Sequence, residues 1–274
     1  MSLRHLWLAA ALLSSLLAAS LAAAAGMVTL ADPGARLLRG ATFYRIAPGV
    51  AIQDGDIVTV DAKEQVQVEL AGGSILAVAG PGSLWLTMSK NGLVTLALPT
   101  GALKAVIKVS APRLHTAAFD VIPAANTILT LTAEIAASAL FLETGSARLV
   151  NPTSPPRDAK RGEYWQKALG GAFVTRTSPP HGFVDALPGN FLDSLPALAG
   201  KTKERPLGAA DHDITYAEAQ PWLALDRHAF ERRFSVRLRD PAFRKAALAQ
   251  IGRYPLWDRM LHPEKFQPKP VTPK

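Results

Sequence analysis

Cysteine is absent from all 274 residues of the sequence. This absence excludes disulfide bonds, thiolate-ligated zinc, iron–sulfur clusters, a cysteine nucleophile and the lipid-anchored cysteine of a lipoprotein. It leaves the compartment open, because an exported protein need not use disulfides. Charged residues make up 19% of the chain and hydrophobic residues 49%, so the composition is that of a folded protein and not of a disordered one.

Recognisable catalytic and metal-binding motifs are also missing. The sequence has no GxSxG elbow, no HExxH pair and no glycine-rich loop that opens a helix after a strand. In Asp211-His212-Asp213, adjacent side chains point in different directions, which favours a solvated loop before a helix over a metal site. We therefore predict no catalytic residue, no metal site and no cofactor, and a protein that is not an enzyme. Four further histidines are scattered without ligand spacing: His115, His181, His228 and His262.

Basic residues are concentrated in the C-terminal half. Residues 27–156 carry nine Lys or Arg and nine Asp or Glu, whereas residues 157–274 carry 20 and 13, a net charge of +7. This indicates either a solvated surface that keeps the protein soluble or contact with an anionic membrane, polymer or protein. The densest cluster predicts a contact with an anionic partner at Arg232, Arg233, Arg237 and Arg239.

The N-terminal segment has the organisation of a secretory signal. Arg4 precedes a run of Leu, Ala and Ser over residues 6–21, and four alanines follow. Ala23 and Ala25 suit the −3 and −1 positions of a cleavage site, which predicts a signal peptide at residues 1–25, although neighbouring registers are open. An uncleaved anchor is the alternative, but the run is short for a stable span. We expect a periplasmic or secreted protein with no transmembrane span in the mature chain.

Residues 28–150 show hydrophobic residues alternating with a period of two. Val66, Val68 and Leu70 alternate with polar residues, and similar runs recur about every ten residues. This predicts a mainly β N-terminal domain, folded as a sandwich, barrel or β-solenoid. Residues 132–142 fit a strand or a short helix, and their strand-like flanks favour the strand. Turns are predicted at residues 54–55, 72–73, 80–82, 91–92 and 99–101, with Asn91-Gly92 the strongest hairpin signal.

The rest of the chain is predicted to be a smaller, partly α-helical region. Proline and charge over residues 151–163 are typical of a linker, and residues 267–274 are typical of a disordered tail. Between them, residues 164–266 should be irregular first and then helical. Trp222 and Trp257 lie among apolar residues at helical spacing, so we interpret them as core anchors and not as a sugar-binding or nucleic-acid-binding surface. Helices are predicted to begin near Thr215 (with Asp213 as a possible cap), Arg227, Pro241 (capped by Asp240) and Pro255.

A resemblance to the FecR-type domain covers residues 28–150. The residues that carry it are Gly49, Gly55-Asp56, the strand-like runs 57–60, 66–70 and 74–78, the turn Gly72-Gly73, and the late strand 141–149. The C-terminal stretches TYAEAQPWL, RDPAFR and YPLWDRMLHPEKF resemble the extension of a subset of FecR-domain proteins of unknown function. The resemblance implies an extracytoplasmic β domain used for binding, and it supplies no catalytic residues.

The sequence departs from the regulator that gives this family its name. That regulator joins a cytoplasmic sigma-factor-binding region to a periplasmic domain through one span, whereas only five residues precede the hydrophobic run here. Sigma-factor regulation is therefore not carried over. We predict a non-enzymatic binding or adaptor protein of the cell envelope, whose partner is an envelope protein or an anionic envelope polymer or surface. Export makes nucleic acid a poor partner. The first alternative is a structural component of an envelope complex, and the second, less favoured one is a cell-wall hydrolase with an unrecognised site.

Export and processing can be checked by intact mass. We expect the protein recovered from the periplasm or medium to have lost its N-terminal segment by cleavage near Ala25, because the basic, apolar and small-residue regions follow one another as a signal peptidase requires. A product in the same fraction that still begins at Met1 would contradict cleavage.

Overall fold

The computed structural model of the protein describes residues 24–89, 91–108 and 112–266. Most of the predicted signal peptide and the predicted tail, residues 267–274, lie outside the described residues. The structure is 44% strand and 23% helix, with a large N-terminal sheet domain followed by a smaller helical region. This confirms the predicted fold class. No helix in the described part of the chain has the length and apolar character needed to cross a membrane.

Strands account for most of the described chain up to residue 176. The strands are β1 (Gly26–Ala31), β2 (Arg36–Arg39), β3 (Thr42–Arg45), β4 (Ala51–Ile52), β5 (Ile57–Val60), β6 (Gln65–Leu70), β7 (Ile75–Met88), β8 (Val94–Ile107), β9 (Arg113–His115), β10 (Asp120–Pro123), β11 (Thr127–Ala133), β12 (Ala137–Thr144), β13 (Ser146–Asn151), β14 (Ser154–Lys160), β15 (Tyr164–Ala168), β16 (Phe173–Arg176) and β17 (Ala210–Asp213).

The strands form two layers that share one long hairpin. The first layer runs β4-β1-β6-β7-β8-β11-β12-β15-β16, and the second runs β17-β3-β2-β5-β7-β8-β9-β10-β13-β14. Pairing is antiparallel except between β8 and β9. The inward side chains of both layers meet in one core, which includes Val68 and Leu76 of the first layer and Leu84 and Leu149 of the second. Of the three predicted architectures, the structure therefore has the sandwich.

The shared hairpin bends where the sequence predicted turns. β7 and β8 are 14 residues each. β7 continues through residues 80–82, and β8 continues through residues 99–101. A Cβ atom on Gly80 would lie 2.0 Å from the carbonyl oxygen of Asp61, and one on Gly101 would lie 2.6 Å from the Cα atom of Gly82. The two predicted turns are therefore bends inside continuous strands, because glycine lets the backbones approach and the hairpin pass from one layer to the other. The predicted hairpin turn at Asn91-Gly92 does connect β7 to β8.

The predicted linker at residues 151–163 is wrong. Residues 154–160 form β14, which pairs with β13, and β15 continues the first layer beside β12. β14 lies at an edge of its layer, where Pro155 and Pro156 need not donate a hydrogen bond to a second neighbour. The β domain therefore extends to Arg176, and not to residue 150. The strand preferred for residues 132–142 is confirmed, because β11 and β12 pair across a turn there.

Helices follow as predicted, with differences at their ends. Thr215 caps the helix Tyr216–Leu225, because the side chains of Thr215 and Glu218 each accept a hydrogen bond from the backbone N–H of the other. The expected cap, Asp213, belongs to β17. Asp240 caps the helix that starts at Pro241, as predicted. The predicted helix from Arg227 is α-helical only to residue 234 and continues as a 3-10 turn over residues 235–239. The helices are α1 (His181–Asp185), α2 (Tyr216–Leu225), α3 (Arg227–Phe234), α4 (Pro241–Leu248) and α5 (Pro255–Leu261).

The C-terminal region covers the outer faces of both layers. Trp222 and Trp257 are 3% and 0% exposed and lie in one cluster with Leu38, Ile57 and other side chains of the second layer, which confirms them as core anchors. On the first layer, the segment 183–199 places Phe191 against the outer side chains of β7. The two parts of the chain therefore share cores and are not joined by a flexible linker.

A buried ion pair fastens this segment to the first layer. Lys104 of β8 is 1% exposed, and its Nζ atom lies 2.9 Å from Glu143 and donates to the carbonyl oxygen of Phe191 at 2.6 Å. We expect Lys104→Ala to lower the free energy of unfolding by about 3 kcal/mol, because the carbonyl oxygen of Phe191 loses its Lys104 donor and Glu143 loses its buried cation. Urea unfolding measures this. Glu143→Gln should cost less, since an amide oxygen can still accept from Lys104, and equal losses would contradict the pairing role.

Candidate functional site

A cleft opens on the outer face of the first layer, beside residues 186–190 of the covering segment. Its floor is one row of paired residues across four adjacent strands: Gln65 on β6, Ala79 on β7, Ala102 on β8 and Thr132 on β11. The two central members are alanines, so the row forms a hollow between its neighbours. The next row along the strands contains Lys104 and is covered by Phe191.

The cleft has a volume of about 870 Å³, within the usual range of ligand-binding clefts. One wall is the segment 186–190, and the other is the turn between β11 and β12 together with the bend of the β7–β8 hairpin. Ile135 in that turn is 83% exposed, and Leu169 in the neighbouring turn is 62% exposed. A hydrogen bond of 2.8 Å from Leu169 N to Ala136 O joins the two turns, so apolar side chains stand at the rim.

The charged residues of the cleft are mainly acidic. Asp32, Glu64 and Glu134 line it, opposed by Lys63. The net charge of these four residues is −2, whereas that of residues 27–156 is zero. Charges farther away than about 8 Å are largely screened at physiological ionic strength, and the local carboxylates therefore decide what the cleft attracts.

Backbone hydrogen bonds hold two of these carboxylates in place. Asp32 accepts from Gln65 N at 2.9 Å, and Glu64 Oε1 accepts from Gly34 N at 3.0 Å. The second oxygen of Glu64, Oε2, is buried and has no hydrogen-bond donor within the described residues. A buried acceptor without a donor costs free energy.

The predicted arginine cluster does not form one surface. Arg233 is only partly exposed and donates to the carbonyl oxygens of Gly40 at 2.7 Å, Leu38 at 2.9 Å and Gly55. These acceptors belong to β2 and to the turns beside β2 and β5, so Arg233 ties α3 to the second layer. Burial lowers the pKa of Arg233 to about 10, against the opposing effect of Asp56.

Arg237 is also engaged inside the protein. Its Nε atom donates to Ile214 O at 3.1 Å, and its guanidinium group pairs with Asp213 at 2.8 Å and faces Asp240 at 3.7 Å. Arg232 and Arg239 are exposed. The anionic-partner contact stays a prediction for these two residues, while the other two have structural roles that the sequence did not reveal.

Asp211-His212-Asp213 is not the loop that the sequence predicted. It forms β17, which pairs with β3. In the described ranges, no group of three or more His, Asp or Glu side chains is placed to hold a metal ion. Between β9 and β10, inside the second layer, His115 and Arg113 both contact Asp120; burial raises the pKa of Asp120, but these contacts outweigh burial and lower it.

Sequence reasoning missed the cleft, because its floor depends on strand register. Ala79 and Ala102 are 23 positions apart and become neighbours only when β7 pairs with β8. The available signal was the small side chains beside Gly80-Pro81-Gly82 and Thr100-Gly101, which we interpreted as turns. The alternation of polar and apolar residues over 65–70 predicts that Gln65 faces solvent, but it lines the cleft.

Comparisons with known proteins give limited information. No family model matches the sequence, and no curated protein matches it. Two crystal structures, at 2.50 and 1.65 Å resolution, of a "putative anti-sigma factor" from Parabacteroides distasonis ATCC 8503 resemble the fold with a TM-score of 0.42 and 15% identity. The similarity covers 48% of this chain and 64% and 65% of those chains, less than two thirds of their length. At this level it carries no conclusion about function, and the FecR resemblance remains a prediction.

Adjacent arginines provide a matched test of the cluster. Arg233→Gln should lower the free energy of unfolding by about 3 kcal/mol, because three backbone carbonyl groups lose a charged donor. Arg232→Gln should change it by less than about 0.5 kcal/mol, since its side chain is exposed. Urea unfolding of both variants gives the values. Equal stability of the two, with lost binding to anionic vesicles for Arg233→Gln, would instead make Arg233 a contact residue.

Proposed function

We propose that this protein is a non-enzymatic binding module of the cell envelope that holds an extended segment of a protein partner in the cleft. The observation that carries the proposal is the open row of small side chains on an otherwise covered sheet face. Sheet faces and edges commonly bind extended peptides, because the scaffold is rigid and alternate side chains enter it. The acidic lining favours a segment with a Lys or Arg side chain, and Ile135 favours an apolar neighbour beside that charge.

The envelope assignment rests on the N-terminal sequence. Ala25 adds a detail, because it is 3% exposed, its N–H donates to Ile52 O at 2.8 Å and its carbonyl oxygen accepts from Ala71 N at 3.0 Å. A mature chain that retains Ala25 keeps these two bonds. The packing therefore favours cleavage after Ala24, one of the neighbouring registers, over cleavage after Ala25.

A contact with an anionic polymer is the second candidate, and it is supported by the exposure of Arg232 and Arg239. Two exposed arginines give a smaller attraction than the four of the sequence prediction, at about 1 kcal/mol for each charge close to an anionic surface. The two candidates use different faces of the protein and oppositely charged ligands. They can therefore be separated by mutation.

Filling the cleft tests the first candidate. Peptides that contain Lys or Arg are first selected from a random displayed library for binding to the wild-type protein. We expect Ala102→Trp to lower the affinity for these peptides at least about tenfold, because the indole occupies the floor of the cleft. Ala71→Trp, in an exposed turn, is the matched control and should bind as wild type. Glu134→Lys reverses an exposed charge without touching the core and should also weaken binding.

Two outcomes would contradict the cleft as the site. One is a set of selected peptides that bind Ala102→Trp and wild type equally. The other is a library that yields no binding peptide, while the wild-type protein binds purified wall polymer and the Arg232→Gln and Arg239→Gln variants lose that binding. That second result would favour the polymer contact.

A further inference from the structure

One histidine has a carboxylate oxygen at each of its ring nitrogens. His212 lies on β17, the strand that leads into α2. Its Nδ1 atom is 3.0 Å from Asp211 Oδ2, and its Nε2 atom is 2.9 Å from Glu218 Oε1. The ring stacks on Phe43 of β3 with a centroid distance of 4.9 Å. The histidine therefore bridges the strand edge and the first turn of the helix.

The arrangement requires a particular protonation state. An ionised carboxylate only accepts hydrogen bonds, and a neutral imidazole has a single N–H donor. Both contacts of His212 can therefore be hydrogen bonds only when the ring is an imidazolium. After loss of one proton, a ring nitrogen lone pair faces a carboxylate oxygen, and that contact becomes repulsive.

The charged groups around the ring come from four elements: β17, β3, α2 and the 3-10 turn over residues 235–239. Asp211 lies on the same strand and also pairs with Arg45 of β3 at 3.2 Å. Asp213, two residues along, is held by Arg237 and by Thr42 at 2.6 Å. Glu218 comes from α2, where its other oxygen accepts from Thr215 N at 2.9 Å in the helix cap. The two carboxylates on the ring therefore outnumber the one arginine that reaches them.

The directions of the pKa shifts of His212 and Glu218 agree with this geometry. Burial lowers the pKa of His212, but hydrogen bonds to Glu218 and Asp211 outweigh burial and raise it above its ordinary value. Burial likewise raises the pKa of Glu218, and hydrogen bonds from Thr215 and His212 outweigh it and lower that pKa. A raised histidine pKa gives stabilisation that is complete below about pH 6.5 and is lost as the pH rises through the folded-state value.

We propose that His212 is a protonation-dependent clasp that, as an imidazolium, ties β17 to the first turn of α2 and, once neutral, releases one of its two carboxylates. Asp213 keeps its contacts with Thr42 and Arg237, so the release loosens the strand–helix junction without detaching the strand. The helical region that covers the second layer begins at this junction. Its local opening should therefore depend on pH.

The test uses the full mature chain and two pH-dependent measurements. NMR titration of the histidine side chains should give His212 a midpoint above 6.5, with the exposed His228 as an internal reference. Amide hydrogen exchange in the first turn of α2 should rise at least about fivefold from pH 6 to 8.5 after correction for intrinsic exchange, relative to α4.

The decisive variant is Glu218→Gln. Glutamine can replace glutamate in the helix cap, so α2 should keep its first turn, whereas the charge at Nε2 is lost. The midpoint of His212 should fall, and the corrected exchange should no longer depend on pH. His212→Gln should likewise abolish that dependence. Glu264→Gln removes a carboxylate beside His262 and is the matched control that should leave His212 unchanged.

The proposal is overturned by either of two results. The first is a wild-type midpoint of His212 at or below 6.5. The second is an exchange profile of Glu218→Gln that keeps the pH dependence of the wild type. A variant with lost helical exchange protection at every pH would show that the glutamate acts only as a cap, which also overturns the clasp.

Discussion

The hairpin of β7 and β8 belongs to both layers of the sandwich, and its bend is the constraint on which the other pairings depend. The first half of β7 pairs with β6 and the second half with β5, so the strand changes neighbours at residues 80–82. The backbones approach so closely there that a side chain on Gly80 or Gly101 would collide with main-chain atoms. A larger residue at either position would separate the layers or straighten the hairpin.

A sandwich made this way leaves two apolar outer faces, and the C-terminal region covers both. Two of the polar contacts across these interfaces are alike, because in each a largely buried cation donates to backbone carbonyl groups. Arg233 reaches from α3 to three carbonyl oxygens of the second layer, and Lys104 reaches from the first layer to the carbonyl oxygen of Phe191. Part of the basic character of the C-terminal half is therefore structural. A count of charges along the sequence cannot distinguish such buried cations from an exposed basic patch.

The sequence was informative wherever a local pattern decides the structure. Period-two alternation predicted the strands, Asp240-Pro241 predicted a helix start, and the spacing around Trp222 and Trp257 predicted a helical core. It failed where one local pattern fits two structures. Prolines mark a linker and an edge strand equally well, so β14 was missed. Glycines mark a turn and a bend equally well, so the 14-residue strands were predicted as shorter ones.

The candidate site was the least predictable part, because each of its features is a relation between distant residues. Ala79 and Ala102 form the floor only through register, and Arg233 leaves the predicted basic cluster only because Gly40 and Gly55 lie beside it in the fold. His212 was correctly placed near a helix start. Its partner Glu218 is six residues away, on the helix that follows the strand, so no single periodicity relates the two residues.

The cleft and the bend have a common origin. Gly80, Pro81 and Gly101, which let the hairpin change layers, also line the cleft. The row beside the bend has alanine at its two central positions, and residues 186–190 of the covering segment form a wall of the cleft. The opening is therefore a consequence of how the two layers are joined. Substitutions at the bend should therefore alter folding and binding together, whereas substitutions at Ala102 or Glu134 change the cleft alone. Changes in the residues at the rim can alter which ligand binds without altering the sandwich.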